Sequence, residues 1–251
     1  MENIWNEQCT VRTWDVDRSG RMHPAAVCNF FQEIAGNHAV ALGVGKDDLI
    51  AGGHAWILSR MTAVVDTRPK WGDIVIAKTW PRGIDRLFAI RDYELTGTDG
   101  TVFARGRSAW VVIDTAKMRP VRPNFLTDRI PLNEGRDAVS DGIPSLASEP
   151  ALVRTGERSP AYSDIDYNGH VNNARYVQWI QDILPSEPLE EAAAFRLDIN
   201  YLSEVRPGMT VALYTAECQP EDGLASARVF AVEGRPADGQ AAFRSHLRLL
   251  R

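Results

Sequence analysis

The sequence predicts an α+β protein built from two similar units, each a helix set against a run of antiparallel strands. Three observations carry this reading. A motif near the N-terminus returns 149 positions later. Segments rich in β-formers, punctuated by turn residues, follow the motif in each half. A stretch rich in proline and glycine separates the two halves.

The repeat aligns residues 14–33 with residues 163–182 without a gap. Asp15/Asp164, Asp17/Asp166, Gly20/Gly169, Ala25/Ala174 and Gln32/Gln181 are identical, and Val16/Ile165, Phe30/Trp179 and Glu33/Asp182 are similar. Further on, Arg60-Met61 runs into Arg68-Pro69-Lys70-Trp71-Gly72, and Arg196-Leu197 runs into Glu204-Val205-Arg206-Pro207-Gly208, at a shift of 136. Asp99-Gly100 and Asp238-Gly239 both have the form of hairpin turns. Landmarks that recur in the same order mark an internal duplication.

Each unit opens with a short extended stretch that ends in a glycine-containing turn. Val27, Phe30, Phe31 and Ile34 then fall at i, i+3, i+4, i+7 and give one helix an apolar face. Val177, Ile180 and Leu184 do the same in the second unit, with Gly36 and Pro185 as the expected stops. Strands are expected over 55–66, 73–80, 86–96 and 101–113, and again over 195–203, 209–218, 225–233 and 240–250. The N-terminal unit is placed at 1–128, a linker at 129–150 and the C-terminal unit at 151–251.

Composition bounds the function. Of 251 residues, 44 % are hydrophobic and 24 % charged, which is ordinary globular usage. The 28 Lys+Arg against 33 Asp+Glu leave a net charge of −5, too acidic for a general nucleic-acid binder. No apolar run nears the roughly 18 residues of a membrane span, and Met1–Glu7 lacks a signal-peptide pattern. Cys9, Cys28 and Cys218 are scattered, so disulfides and a cysteine zinc site are not expected and a cytoplasmic location is. HExxH, GxxxxGK[ST] and GxSxG are absent, and no metal or cofactor is expected.

The chemistry-bearing stretch is Asp166-Tyr167-Asn168-Gly169-His170-Val171-Asn172-Asn173, at the entry to the second helix. A helix N-terminus offers unpaired N–H groups and a positive partial charge to a developing oxyanion. A histidine there can move protons near neutral pH, an asparagine can fix a water or a carbonyl, and an aspartate can orient either. In the first unit Ser19 replaces Asn168 and Arg21 replaces His170, while Asp17 and Gly20 persist. One copy thus keeps the turn without the chemistry. Purely structural roles remain open for single residues: Asn168-Gly169 as a turn dipeptide, and Asn172 or Asn173 as a helix cap.

The stretch Asp164–Val177 resembles the signature of acyl-acyl-carrier-protein thioesterases, D-x-N-x-H-V-N-N followed by an aromatic-containing helix. The resemblance implies a tandem (double) hotdog fold and hydrolysis of fatty acyl-carrier-protein thioesters. It implies Asp166, Asn168 and His170 as catalytic residues and a further acid on a later strand, which Glu204 fits. The neighbouring position, a cysteine in the plant pattern, is Val205 here, so a water-based route is favoured over a thiol nucleophile. Asn172 and Asn173 are expected near the substrate, and Phe30 and Trp56 in the acyl tunnel. An acidic carrier protein requires a local basic patch: Arg82, Arg86 and Arg91 around one strand pair, or Lys117, Arg119 and Arg122 entering the linker. The alternatives are a coenzyme A thioesterase of the same fold and, from another class, a non-catalytic acyl-thioester sensor. Two units in one chain suit a monomer, and a homodimer is also compatible.

Overall fold

The computed structural model describes residues 3–220, 227–237 and 239–251. They form one antiparallel sheet. The first half contributes β1 (Trp5–Thr10), β2 (His54–Val65), β3 (Ile74–Asp85), β4 (Phe88–Gly97) and β5 (Val102–Asp114) in the order β1-β3-β4-β5-β2, with β6 (Arg119–Val121) on β5. The second contributes β7 (Val153–Arg158), β8 (Ala194–Tyr201), β9 (Val211–Cys218), β10 (Arg228–Pro236) and β11 (Phe243–Leu250) in the order β8-β11-β10-β9-β7. The halves join where β2 pairs with β8, from Arg60↔Asn200 to Val65↔Phe195. Counted outward from this junction, the connectivity is the same on both sides, so a pseudo-twofold axis lies between β2 and β8.

Two long helices, α1 (Pro24–Ala41) and α3 (Asn173–Ile183), pack against each other and against the sheet. Val27, Phe31 and Ile34 of α1 and Val177 and Ile180 of α3 share one core with Ala63, Leu95, Leu197, Leu213 and Leu247. Each of the Val, Leu, Ile and Phe side chains among them, fully withdrawn from water, contributes about 1.5–3 kcal/mol. Strand β11 shows the alternation that permits this, with Phe243, Ser245, Leu247 and Leu249 buried and their neighbours half-exposed. Gly106 of β5 is a close-approach position: a Cβ there would lie 2.3 Å from Phe31 Cε2. Its bare backbone lets the Phe31 ring lie on the strand and stack on Tyr93 at 4.6 Å. The arrangement is the tandem hotdog, an α+β fold in which each half of the sheet wraps a helix.

The strands fall within a few residues of the expected segments, though Asp238 and the start of the 225–233 segment lie outside the described residues. Gly36 does not end α1, which runs on to Ala41. A mid-helix glycine costs about 1 kcal/mol, and burial of Ile34, Ala35 and His38 around it outweighs that. Leu184 lies just past the end of α3 in extended conformation, where Pro185 stops the helix. Two short helices, α2 (Lys46–Ala51) and α4 (Ser186–Glu191), follow α1 and α3 and are too short to show a period.

The Pro/Gly-rich tract is strapped along the sheet. Arg107 forms a buried ion pair with Asp92 (2.7 Å) and a second with Asp137, and the Ala138 amide donates to Asp92 at 2.8 Å. Trp80 Nε1 donates to the Arg136 carbonyl at 3.0 Å, and the Leu146 amide to Asn200 at 2.8 Å.

Candidate active site

The site is a tight turn at the N-terminus of α3. Gly169, at φ +83°, takes the left-handed conformation that a side chain disfavours. Its amide donates to the Asp166 carbonyl (2.9 Å), and the Asp166 amide to the His170 carbonyl (3.0 Å). The Asp166 carboxylate accepts the Asn168 amide at 2.7 Å and the Asn168 side-chain amide at 3.3 Å. Asp166 therefore holds both the backbone and the side chain of Asn168.

Glu204 arrives on the loop between β8 and β9, not on a strand as expected. The Val171 amide donates to the Val205 carbonyl at 2.9 Å, and the Val205 amide donates to the Tyr176 hydroxyl of α3 at 3.0 Å. This pins the loop against turn and helix and brings Glu204 Oε1 to 4.0 Å from His170 Nε2. His170 Nδ1 lies 4.0 Å from Asp166 Oδ1 on its other side. Both separations exceed a direct hydrogen bond and leave the imidazole between two carboxylates. The second Glu204 oxygen accepts Arg206 Nη2 at 2.8 Å. Burial pushes the Tyr176 phenol up to about 12, so its proton is retained. Tyr176 is a residue of the candidate site that the motif reading missed; its partner lies 29 positions away, and the fold is what joins them.

Asn172 is the N-cap of α3, its side-chain oxygen accepting the Ala174 amide at 2.9 Å. Its own amide is spent on the Asp164 carbonyl. The Asn173 carbonyl accepts the Tyr201 hydroxyl at 3.1 Å. Of the amides around the turn, those of Tyr167, His170 and Asn173 have no acceptor among the described residues. The helix N-terminus thus offers fewer oxyanion donors than a bare end would.

The first half repeats the turn bond for bond. Gly20 has φ +73°, its amide donates to the Asp17 carbonyl (2.9 Å), the Asp17 amide to the Arg21 carbonyl (3.0 Å), and the Ser19 amide to the Asp17 carboxylate (2.8 Å). The Met22 amide donates to the Pro69 carbonyl at 2.7 Å, mirroring Val171 and Val205. The Glu204 position falls on Arg68, buried with its side chain 2 % exposed. Its guanidinium pairs with Asp17 and donates to the carbonyls of Met22 (2.9 Å), Leu189 (2.9 Å) and Ala192 (3.1 Å). Arg18 forks onto Glu190 at 2.9 and 2.8 Å. An arginine thus fills the place of the acid and ties the turn to the end of α4. At the C-terminal turn the corresponding helix, α2, makes a lighter contact: Lys46 Nζ donates to the Tyr167 carbonyl at 3.0 Å and sits 4.1 Å from the centre of its ring.

The other predicted residues are dispersed. Phe30 is half-buried against the core, and Trp56 donates its indole N–H to the Val44 carbonyl at 2.9 Å. Arg82 pairs with Asp137 at 3.1 Å and Lys117 with Asp114 at 3.7 Å. Arg86, Arg119 and Arg122 are exposed and have no carboxylate partner among the described residues. A groove of about 570 Å³ between β7, β9 and the end of α3 shares no residue with the turn. Burial, the leading cause at each, raises the Cys9, Cys28 and Cys218 thiols, Cys28 to about 12. None is placed as a ready thiolate.

Two family models divide the chain between them: the acyl-ACP thioesterase N-terminal domain matches residues 2–126, and the C-terminal domain matches residues 153–244. The chain belongs to the acyl-ACP thioesterase family. It is 28 % identical over 224 residues to an acyl-[acyl-carrier-protein] hydrolase of Cuphea viscosissima, covering 80 % of this chain and 52 % of that protein. It is 27 % identical over 238 residues to oleoyl-acyl carrier protein thioesterase 1 of Arabidopsis thaliana, covering 87 % and 61 %. The chain thus spans about half to three-fifths of the length of these curated relatives. The crystal structure of an acyl-ACP thioesterase from Bacteroides thetaiotaomicron aligns with a TM-score of 0.85 and 26 % identity over 98 % of this chain and 97 % of that one. The 12:0-ACP thioesterase from Umbellularia californica shares the fold, with a TM-score of 0.82 at 22 % identity over 98 % and 93 %.

Proposed function

We propose that this family member hydrolyses the thioester of fatty acyl-acyl carrier protein, releasing free fatty acid, with chemistry at the C-terminal turn alone. The observation that carries the reading is Glu204 Oε1 at 4.0 Å from His170 Nε2, two groups 34 positions apart that the β8–β9 loop brings together. The mirrored turn, with Arg21 and Arg68 in those places, holds a guanidinium where the acid would be.

Glu204 takes the proton of a water that attacks the thioester carbonyl carbon. The carbonyl oxygen becomes an oxyanion facing the amides of His170 and Asn173. The C–S bond then breaks, the thiolate leaves with a proton from His170 or Glu204, and the products are a fatty acid and a thiol. Asn168, held by Asp166, lies where it can fix the water or the carbonyl. Raised thiol pKa values support water over cysteine as the nucleophile, and free cysteines suit a reducing compartment such as the cytoplasm. For the carrier protein, Arg119 and Arg122 are the better-placed cations, because Arg82 and Lys117 are already paired.

The test is steady-state thiol release from C8–C18 acyl-carrier-protein esters beside the matching coenzyme A esters. Higher kcat/KM on carrier-protein esters, reduced by Arg119→Ala with Arg122→Ala and steepened at low salt, is the expected result. Preference for coenzyme A esters would assign the chain to the other thioesterase class.

A further inference from the structure

The halves differ in one buried atom. Gln181 of α3 reaches across the helix pair, and its Oε1 accepts the Ala25 amide in the first turn of α1 at 3.1 Å. Gln32 holds the mirrored position in α1, and Ala174 mirrors Ala25. The mirrored bond is not made. In the first half the cap is His23, which accepts the Ala26 amide and leaves the Ala25 amide to Gln181. In the second half Asn172 takes the Ala174 amide itself. Gln32 Oε1 is buried and without a partner.

An unmatched buried acceptor is a cost that a neutral packing position would shed. Which end of a carboxamide is oxygen is an assignment from its surroundings. By the pseudo-twofold relation that sets Gln181 against the first turn of α1, Gln32 is matched to the first turn of α3, and turned over it carries N–H donors at that place.

We propose that Gln32, from the half without the acid and the histidine, donates a hydrogen bond to the substrate's thioester carbonyl. The proposal rests on the thioesterase reading above. It assigns the duplicated glutamines opposite tasks: Gln181 closes a helix end, and Gln32 serves the substrate.

Gln32→Met and Gln181→Met test it as a pair. Gln32→Met is expected to lower kcat on acyl-carrier protein about 10²- to 10³-fold, as loss of one carbonyl donor does, with an unchanged or higher Tm. Gln181→Met is expected to keep kcat within about twofold and lower Tm by about 2–4 °C, the mark of one lost hydrogen bond in a chain of this size. Equal losses of Tm with kcat intact in both would overturn the proposal. Binding separates it from the thioesterase reading. The probes are 2-oxotetradecyl pantetheine thioether, which keeps a carbonyl and resists hydrolysis, and tetradecyl pantetheine thioether, which lacks one. Gln32→Met should weaken the first about tenfold and leave the second unchanged. Equal effects on both would refute the carbonyl contact whether or not the chain turns over thioesters.

Discussion

His170 and Glu204 do not touch, and residues with no part in bond-making steady the groups of the site. Tyr176 sets the loop that carries Glu204, while Asp166 sets Asn168. Tyr176→Phe leaves the buried Val205 amide without its acceptor, so a loss of about 1–3 kcal/mol by urea denaturation is expected, with a fall in kcat as Glu204 drifts from His170. With every thiol raised by burial, iodoacetamide at neutral pH should leave turnover unchanged; rapid inactivation protected by substrate would restore a cysteine to the mechanism. Asp166, Asn168 and His170 were legible because they share one turn, where spacing and structure coincide. Glu204 was legible from the family resemblance, which calls for a further acid, but its loop setting was not, because the strand pattern continues up to it. Tyr176 was hidden, since an apolar helix face explains a buried tyrosine equally well.

At the scale of elements, the short helices α2 and α4 each hold the other half's turn. The grip of α4 is the stronger, through Arg18 and Arg68. Arg68→Met breaks a buried pair and frees several carbonyls, and a loss of about 3 kcal/mol is expected, read as a lower urea midpoint at unchanged slope. The same contact gives a pH signature. Burial acts to raise the Asp17 pKa, but hydrogen bonds from Ser19 and Arg68 outweigh it and leave it below its ordinary 3.8. A depressed carboxyl stabilises fully above its unfolded pKa, and that contribution drains as pH falls through the folded value. Asp17→Asn should therefore flatten the stability–pH curve below about pH 4 and leave its slope near neutrality unchanged. Gly106→Val, driven into Phe31, should cost about 1–3 kcal/mol. The six-residue helices were illegible for want of a period, and Gly36 misled because tertiary burial overrides a local helix-breaking preference.

For the whole molecule, duplication supplies the pairing of two hotdog units within one chain, and only one unit carries the acid and the histidine. The β2–β8 junction and the shared helix core make each half the other's cover. The segment 151–251 alone would expose the β8 edge and one face of α3, and an open edge of this kind recruits another strand. It should sediment as a dimer or larger; a stable monomeric half would mean that the shared core matters little. The pseudo-twofold plan was legible because duplicated landmarks kept their order. The strap over the sheet was not, since Arg107, Asp92 and Asp137 pair through tertiary contacts that no local pattern announces.

The most direct test of the central claim is kcat for Glu204→Gln on acyl-carrier protein, beside its Tm. The exposed Glu204–Arg206 contact carries little stability, so Tm should hold while kcat falls about 10²–10⁴-fold, the range for loss of a general base. Near-full turnover in a folded Glu204→Gln protein would place the chemistry elsewhere.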